Sequence, residues 1–107
     1  MIARTWTGEV RTEDADAYEA YLNETGFAGY LSTPGNHGVA MLRRELGETT
    51  EFVMFTLWQS LDAVKAFAGE DPDIAVYYPE DDRFLVRRDA NAVHYSVARQ
   101  SGFGSAA

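Results

Sequence analysis

The chain has 107 residues, enough for one domain of ordinary size whose core a partner subunit would help to bury. Nine Lys and Arg against 17 Asp and Glu give a formal net charge of -8, which disfavours nucleic acid and anionic membranes as partners. Because there is no cysteine and no apolar stretch of membrane-spanning length, we expect a soluble, cytoplasmic protein without disulfides or thiolate metal sites.

The first third of the chain predicts a strand followed by a helix. Residues 2–10 alternate between apolar and polar side chains and are rich in Thr, Val and Trp, a pattern typical of a strand. Acids in a first turn and apolar residues at helical spacing predict a helix over residues 13–25. Gly26 would end this helix, and the alternative is a continuation through residues 27–31.

A turn and a hairpin are predicted next. Pro34 and Gly35, within the sequence TPGN, favour a reversal of the chain. Residues 37–46 and 51–58 then predict two strands that are joined by a connection of hairpin length. The second of these strands is almost continuously apolar, which indicates that both of its faces are covered.

The rest of the chain predicts a helix, a short helical turn and a last strand. Ser60 is a candidate N-cap for a helix that ends near Gly69. Pro72 suits the first turn of another helix, and residues 74–77 are predicted to form one helical turn. Residues 92–99 alternate again and predict the last strand.

The predicted order of elements is β-α-β-β-α-β. This order is typical of an α+β ferredoxin-like fold, in which an antiparallel sheet carries both helices on one face. The other face needs cover, and a second copy of the chain would provide it. We therefore expect one domain over residues 1–100, a flexible C-terminal tail over residues 101–107, and a homodimer.

Two long segments resemble a known family. The sequence FVMFTLWQSLDAVKAF, residues 52–67, and the run FAGED to YYPEDDRFL, residues 67–85, are similar to small antibiotic biosynthesis monooxygenase-like proteins, as is the PGN turn at residues 34–36. These proteins are members of the dimeric α+β barrel superfamily, and the likeness extends from Met1 to about Arg99. The resemblance implies that two sheets pair into a barrel, and that each subunit keeps a ligand cavity between its sheet and its helices.

The resemblance also implies two activities. Some members of the superfamily oxidise phenolic compounds with dioxygen and without metal or flavin, and others bind and degrade haem. Both groups share a tryptophan at the end of the third strand, which Trp58 matches. The haem degraders also use a histidine in the following helix and an asparagine in the first strand, whereas residues 61–71 contain no histidine and the first asparagine is Asn23. Cofactor-free oxygenation is therefore the leading hypothesis, and haem binding or degradation is the weaker one.

His94 is the candidate general base. Cofactor-free oxygenation needs a group that removes the proton of a phenol, and the unperturbed pKa of histidine is close to neutrality. His94 lies on the last predicted strand between the small residues Ala92 and Ser96, which leaves space for a ligand. The alternative is a hydrogen-bonded histidine of the core or of the dimer interface. His37, just after the turn, is expected to be exposed.

Aromatic side chains are candidates for the walls of the cavity. Trp58 could stack on an aromatic ligand and act with His94 in catalysis, or it could simply pack in the core. Arg4 could bind a substrate anion or form a salt bridge at a strand edge. The residues expected to line the cavity or its mouth, and so to bind the substrate, are Tyr18, Tyr21, Leu22, Phe67, Tyr77, Tyr78 and Arg83.

The run YYPEDDRF, residues 77–84, is interpreted as a lid. Its three acids, residues 80–82, are expected to face water, and Arg83 is expected to pair with a nearby acid. No metal or cofactor is expected, because there are only two histidines and the acidic run lacks the ligand spacing of an EF-hand loop.

Three classes of function are left open. The first is an oxygenase that acts on a small aromatic or polyketide-type compound, and the second is a non-catalytic module that binds a small ligand. The third is a structural dimer whose cavity is filled by its own side chains. An open pocket that reaches Trp58 and a histidine favours the first class, purely apolar walls favour the second, and a packed interior favours the third.

Overall fold

A computed structural model describes residues 1–102 of the chain. The strands are β1 (Ile2–Arg11), β2 (Asn36–Glu45), β3 (Thr49–Trp58), β4 (Leu85–Arg88) and β5 (Val93–Ser96), and the helices are α1 (Ala15–Leu22), α2 (Ala28–Ser32), α3 (Leu61–Ala68) and α4 (Asp81–Phe84). The predicted flexible tail, residues 101–107, lies outside the described residues from position 103 onward. No helix in the described part of the chain is long and apolar enough to cross a membrane.

The strands form one antiparallel sheet with the order β2-β3-β1-β4, and β5 also pairs with β1. β1 and β3 are paired along their whole length, from Ile2 opposite Trp58 to Arg11 opposite Thr49. This is the α+β ferredoxin-like arrangement that the order of elements predicts. Its central strand is β1, so the residues of β1 have strands on both sides.

The two central strands bury alternate side chains, as the period of two in a strand requires. On β3 the even-numbered residues 50–58 are all buried, and those that are apolar join the helices in the core. The odd-numbered residues Val53, Phe55 and Leu57 are half-buried and point to the opposite face. We call this second surface the open face of the sheet.

The fourth strand of the predicted fold is broken into two pieces. β4 pairs with residues 8–10 of β1, and β5 pairs with residues 2–5. The last strand is therefore shorter than the predicted span of residues 92–99. β4 was not predicted, because half of it consists of Arg87 and Arg88, whose ion pairs with acids replace an apolar pattern.

The first helical region continues beyond the predicted end at Gly26. A π-helical segment, Asn23–Phe27, joins α1 directly to α2, so the alternative of a continued helix is the one that forms. Gly26 is buried within this segment instead of ending the helix. The hydroxyl of Thr25 donates a hydrogen bond to the carbonyl oxygen of Tyr21 at 2.8 Å and so gives this carbonyl a partner where the helix widens.

The predicted helical turn at residues 74–77 does not form. Residues 69–80, which we call the cover segment, contain no helix, and Ile74 forms an isolated antiparallel bridge with Asn91. The bridge lies at the break between β4 and β5. The side chain of Arg4, which lies outside the segment, donates hydrogen bonds to the carbonyl oxygens of Pro72 and Ile74.

A short helix, α4, forms inside the acidic run instead. Glu80 and Asp82 are exposed as predicted, but the prediction is wrong for Asp81, whose accessible surface is only 3%. Asp81 accepts a hydrogen bond from the hydroxyl of Tyr18 at 2.9 Å and another from the backbone N–H of Tyr78 at 2.6 Å. These bonds explain why one carboxylate of the run is buried.

Candidate functional site

The aromatic side chains between sheet and helices pack into two groups. In the first, which we call the Tyr18 cluster, Tyr18 lies 5.3 Å from both Phe52 and Phe84 between ring centroids, and Tyr21 lies 5.8 Å from Phe84. Leu22 belongs to the same buried core. Burial raises the pKa of Tyr18, and the neighbouring carboxylate of Asp81 adds to this effect.

The second group, the Phe67 cluster, consists of Tyr30, Trp58 and Phe67. The ring of Phe67 lies 4.4 Å from that of Tyr30 and 5.8 Å from that of Trp58. Trp58 is fully buried, and its indole N–H donates to the hydroxyl of Thr56 at 2.8 Å. Tyr78 lies close by, because a Cβ atom built on Gly29 would come within 2.9 Å of its hydroxyl and 3.3 Å of Phe67.

Aromatic side chains therefore pack closely in part of the space in which the sequence predicts a cavity. Tyr18 and Tyr21 pack in one cluster, Trp58 and Phe67 pack in the other, and Leu22 lies in the core that contains both. One pocket among the described residues lies on the open face and is lined by Phe55, Leu57, Val97, Arg99 and Gln100. The role of the five predicted wall residues in ligand binding stays a prediction.

Arg4 is buried beside the Phe67 cluster, with only 2% of its surface accessible. Its guanidinium lies 5.7 Å from the centre of the Phe67 ring, and it donates to the carbonyl oxygens of Pro72 and Ile74 at 3.4 and 3.3 Å. The expected salt bridge at a strand edge is not formed within residues 1–102, where β1 is the central strand and not an edge. Burial lowers the pKa of Arg4, although the neighbouring Tyr30 hydroxyl opposes this shift.

His94 lies next to Arg4 across the β1–β5 ladder, on the same face of the sheet. Its Nδ1 atom lies 3.1 Å from Oδ1 of Asp73, and its side chain is 14% exposed, against 70% for Asp73. Burial lowers the pKa of His94, and the charge of Arg4 lowers it further, while Asp73 opposes the shift. The imidazole is therefore neutral at neutral pH.

Two buried nitrogen atoms in this region have no hydrogen-bond partner within residues 1–102. They are Nε of Arg4 and Nε2 of His94. Buried polar atoms are rarely left unpaired, because each costs free energy comparable to a lost hydrogen bond. Arg4 Nε can only donate, and His94 Nε2 accepts when Nδ1 carries the proton. A donor and an acceptor on neighbouring residues are therefore free for a ligand.

The other predicted site residues lie outside this region. The hydroxyl of Tyr77 accepts a hydrogen bond from the indole N–H of Trp6 at 2.9 Å and donates to the carbonyl of Asp89. Arg83 is exposed on α4 and pairs with Glu80 at 3.2 Å, as predicted for a local ion pair. His37 is exposed, also as predicted.

Tyr30 and Asp73 belong to the region but were not among the predicted site residues. Tyr30 continues the helical spacing of the first helix, a signal that the predicted helix end concealed. Asp73 is far from His94 in sequence, and only the folded chain brings the two together. No group of three or more metal-ligating side chains that could hold an ion is present in residues 1–102.

Comparison with known proteins gives the family. Residues 1–72 match the family model for antibiotic biosynthesis monooxygenases. No curated protein is significantly similar in sequence.

Solved structures with this fold include two proteins named for the same family. The one from Bacillus cereus has a TM-score of 0.67 and 15% identity, and the match covers 94% of this chain and 96% of that one. The one from Nitrosomonas europaea has the same TM-score and identity, with 92% and 100% covered.

A third similar structure is the haem degrader MhuD from Mycobacterium tuberculosis, which was solved with two haems in its active site. Its TM-score is 0.66 at 22% identity, and the match covers 95% of this chain and all of that one. These likenesses establish the fold, and the match over residues 1–72 establishes the relationship. The chain belongs to the antibiotic biosynthesis monooxygenase family.

Proposed function

We propose that the protein is a small cofactor-independent monooxygenase that acts with dioxygen on a phenolic, polyketide-type aromatic compound. The observation that carries the proposal is the buried Nε2 atom of His94, an unpaired base atom beside the buried cation of Arg4. A neutral imidazole next to a fixed positive charge is suited to removing the proton of a hydroxyl group and stabilising the anion that is left.

The reaction needs little besides these two groups. His94 Nε2 takes the hydroxyl proton, and the resulting phenolate, held by Arg4, is electron-rich enough to reduce dioxygen. For a phenol with a free para position, one oxygen atom becomes a new carbonyl, and the other leaves as water with the two hydrogens that the substrate loses. The aromatic side chains of Trp58, Phe67 and Tyr78 would then contact the rings of the substrate.

Access to this site requires movement, because Arg4 is almost completely buried. Phe67 is only partly buried, and the cover segment has no helix or strand to hold it, so these two parts are the ones we expect to move. The tight packing of the Phe67 cluster also supports the competing hypothesis of a structural dimer with a filled interior. A non-catalytic binding protein is the third alternative, and binding without turnover would identify it.

Haem binding is a weaker alternative that uses the same atom. A free imidazole nitrogen can ligate haem iron, and Nε2 of His94 has no partner among the described residues. A porphyrin is much larger than a phenol, however, and would have to displace the whole Phe67 cluster.

We also propose that the chain forms a homodimer through the open face of its sheet. Leu42, Val93 and Tyr95 are exposed there, with 56% of Tyr95 accessible, and Phe55 and Leu57 lie between them. Such a surface is unusually apolar for a monomer, and pairing with a second sheet would cover it.

The experiment is an oxygen-uptake screen of the purified, metal-free protein with hydroxylated aromatic compounds. His94→Ala should lower turnover of an accepted substrate by about 100-fold or more, because a positioned general base contributes at least that much. His37→Ala is the matched control and should leave the rate unchanged, since His37 is exposed. Trp58→Phe should raise KM more than it lowers kcat.

The wild-type rate should also rise with pH through the titration of His94. This rise should occur below the ordinary histidine range of about 6.5, because burial lowers the pKa. The absence of uptake with any phenol, or an unchanged rate in His94→Ala, would remove the proposal. A haemin titration with a sharp Soret band that His94→Ala abolishes would favour the haem alternative.

A further inference from the structure

Asp73 is held in place by contacts on both sides of its backbone. Arg4 Nη2 donates to the carbonyls of Pro72 and Ile74, the residues that flank Asp73. On the other side, the carbonyl of Asp73 accepts from the N–H of Ala92 at 2.7 Å. The backbone of Asp73 is therefore clamped between a buried side chain of the central strand and the connection between β4 and β5.

This clamp directs the carboxylate of Asp73 at one nitrogen of His94. Oδ1 of Asp73 lies 3.1 Å from Nδ1 of His94, at the solvent side of the ring, while Nε2 is buried. The imidazole thus spans from an exposed acid to the interior. No other ion pair of His94 is present among the described residues.

The contact decides where the proton of the neutral ring resides. A neutral imidazole carries one proton, on either nitrogen, and a carboxylate can only accept a hydrogen bond. Asp73 therefore favours the proton on Nδ1, which leaves a lone pair on Nε2. In the opposite tautomer Nε2 would carry an N–H, and the ring could not take a proton from a ligand in the interior.

We propose that Asp73 is a positioning residue that fixes the proton of His94 on Nδ1 and so keeps Nε2 as an inward-facing acceptor. The use of this acceptor in catalysis rests on the proposed function, but the tautomer itself does not. Because Asp73 belongs to the cover segment, the acceptor is set only while that segment is closed. Arg4, His94 and Asp73 then act as one unit, in which Arg4 places Asp73 and Asp73 orients His94.

The test is a nitrogen-15 NMR measurement on protein labelled at histidine, without any ligand. The nitrogen-15 shifts of the imidazole, which lie downfield of the backbone amides, report which ring nitrogen is protonated, and His37 serves as an internal reference for an exposed ring. In the wild type, Nδ1 of His94 should be protonated and Nε2 should not. Asp73→Ala should shift the ring towards the Nε2-protonated form.

Two further variants separate a positioning role from a general structural one. Asp73→Asn keeps the size of the side chain, but its amide group can donate to an unprotonated Nδ1, so it should favour the Nε2-protonated tautomer as Asp73→Ala does. Glu70→Ala removes another exposed acid of the cover segment and should leave the tautomer unchanged. With a turned-over substrate, Asp73→Ala should lower kcat by about 10- to 100-fold, as the loss of an orienting partner commonly does, with a smaller effect on KM.

Each outcome decides the proposal. Protonation of Nε2 in the wild type, or an unchanged tautomer in Asp73→Ala, would overturn it. If the tautomer responds as expected but no phenol is oxidised by the wild type, then the proposed function fails while the role of Asp73 stands.

Discussion

The burial of His94 makes the stability of the folded protein depend on the protonation of this one imidazole ring. Because burial and the charge of Arg4 lower its pKa below the ordinary 6.5, the unfolded chain binds a proton at higher pH than the folded one does. The neutral form therefore stabilises the fold fully above the ordinary histidine pKa. This contribution falls as the pH drops below about 6.5, until the pKa of the folded state is reached.

We expect His94→Gln to remove part of this pH dependence. The free energy of unfolding of the wild type should fall between about pH 7 and pH 5, and that of His94→Gln should fall less. His37→Gln is the control, since that ring is exposed, and it should behave as the wild type does. Denaturant unfolding at several pH values measures the difference, and parallel curves for wild type and His94→Gln would contradict the assignment.

At the scale of single residues, the sequence predicts which residues belong to the candidate site better than it predicts the contacts that those residues make. Trp58, His94 and Phe67 were candidates because of their chemistry and position on the predicted elements, and the folded chain brings all three near Arg4. The burial of Asp81 was not predictable, because it depends on a hydrogen bond from Tyr18, which lies 63 positions away. Local patterns carry no information about such a pairing.

At the scale of elements, Gly8 shows how a strand depends on a missing side chain. A Cβ atom at Gly8 would lie 2.6 Å from Cη2 of Trp6 and 2.8 Å from a methyl carbon of Leu85. Glycine therefore lets the indole of Trp6 approach the backbone of the central strand closely, and its N–H donates to the hydroxyl of Tyr77.

We expect Gly8→Ala to destabilise the protein by about 1–3 kcal/mol, the usual cost of forcing an extra methyl into a packed core. Gly26→Ala is the matched control, because a Cβ atom there would meet Tyr30 only at 3.8 Å, an ordinary contact. In a helical segment that change should stabilise by about 0.5–1 kcal/mol. Thermal unfolding measures both, and equal effects of the two substitutions would contradict the contact at Gly8.

Helices and strands are predictable from the sequence where apolar residues recur at a regular spacing along one face. β1, β2, β3 and α3 appear close to their predicted positions, and Ser60 caps α3 as expected, with its hydroxyl accepting from the N–H of Ala63 at 3.2 Å. The predicted helical turn in the cover segment is wrong. Pro72 favours a helix start, but the carbonyl oxygens of Pro72 and Ile74 accept hydrogen bonds from Arg4 instead. Tertiary contacts overrode local propensity there.

At the scale of the whole molecule, the proposed dimer can be tested on the open face. Sedimentation at micromolar concentration should give about twice the chain mass of 11.9 kDa. Phe55→Glu, which buries a charge in the proposed interface, should give the monomer. Leu61→Glu places the same charge on α3, across the sheet, and should remain dimeric. A monomeric wild type, or a dimer that Phe55→Glu leaves intact, would contradict the proposed interface.

The overall fold followed from the order of its elements, and the family from the segments around Trp58 and the acidic run. The ligand cavity expected from the same resemblance stays a prediction, and aromatic side chains pack closely in part of that space. Sequence patterns assign residues to a face of the sheet, but they do not report how closely two rings on that face approach each other. The 4.4 Å contact of Tyr30 with Phe67 is set by helix placement, which spacing alone does not determine.

Because the cover segment is attached at the break between β4 and β5, the proposed site can open while the central strands of the sheet stay paired. The cover segment is attached at this break through the amides of Ala75 and Ala92, and the long ladder between β1 and β3 takes no part in the attachment. Releasing the segment is therefore a local fluctuation that leaves the most extensive backbone pairing intact. We therefore expect the amides of Ala75 and Ala92 to exchange with solvent before those of the β1–β3 ladder, once the bonds of Arg4 to Pro72 and Ile74 are broken as well.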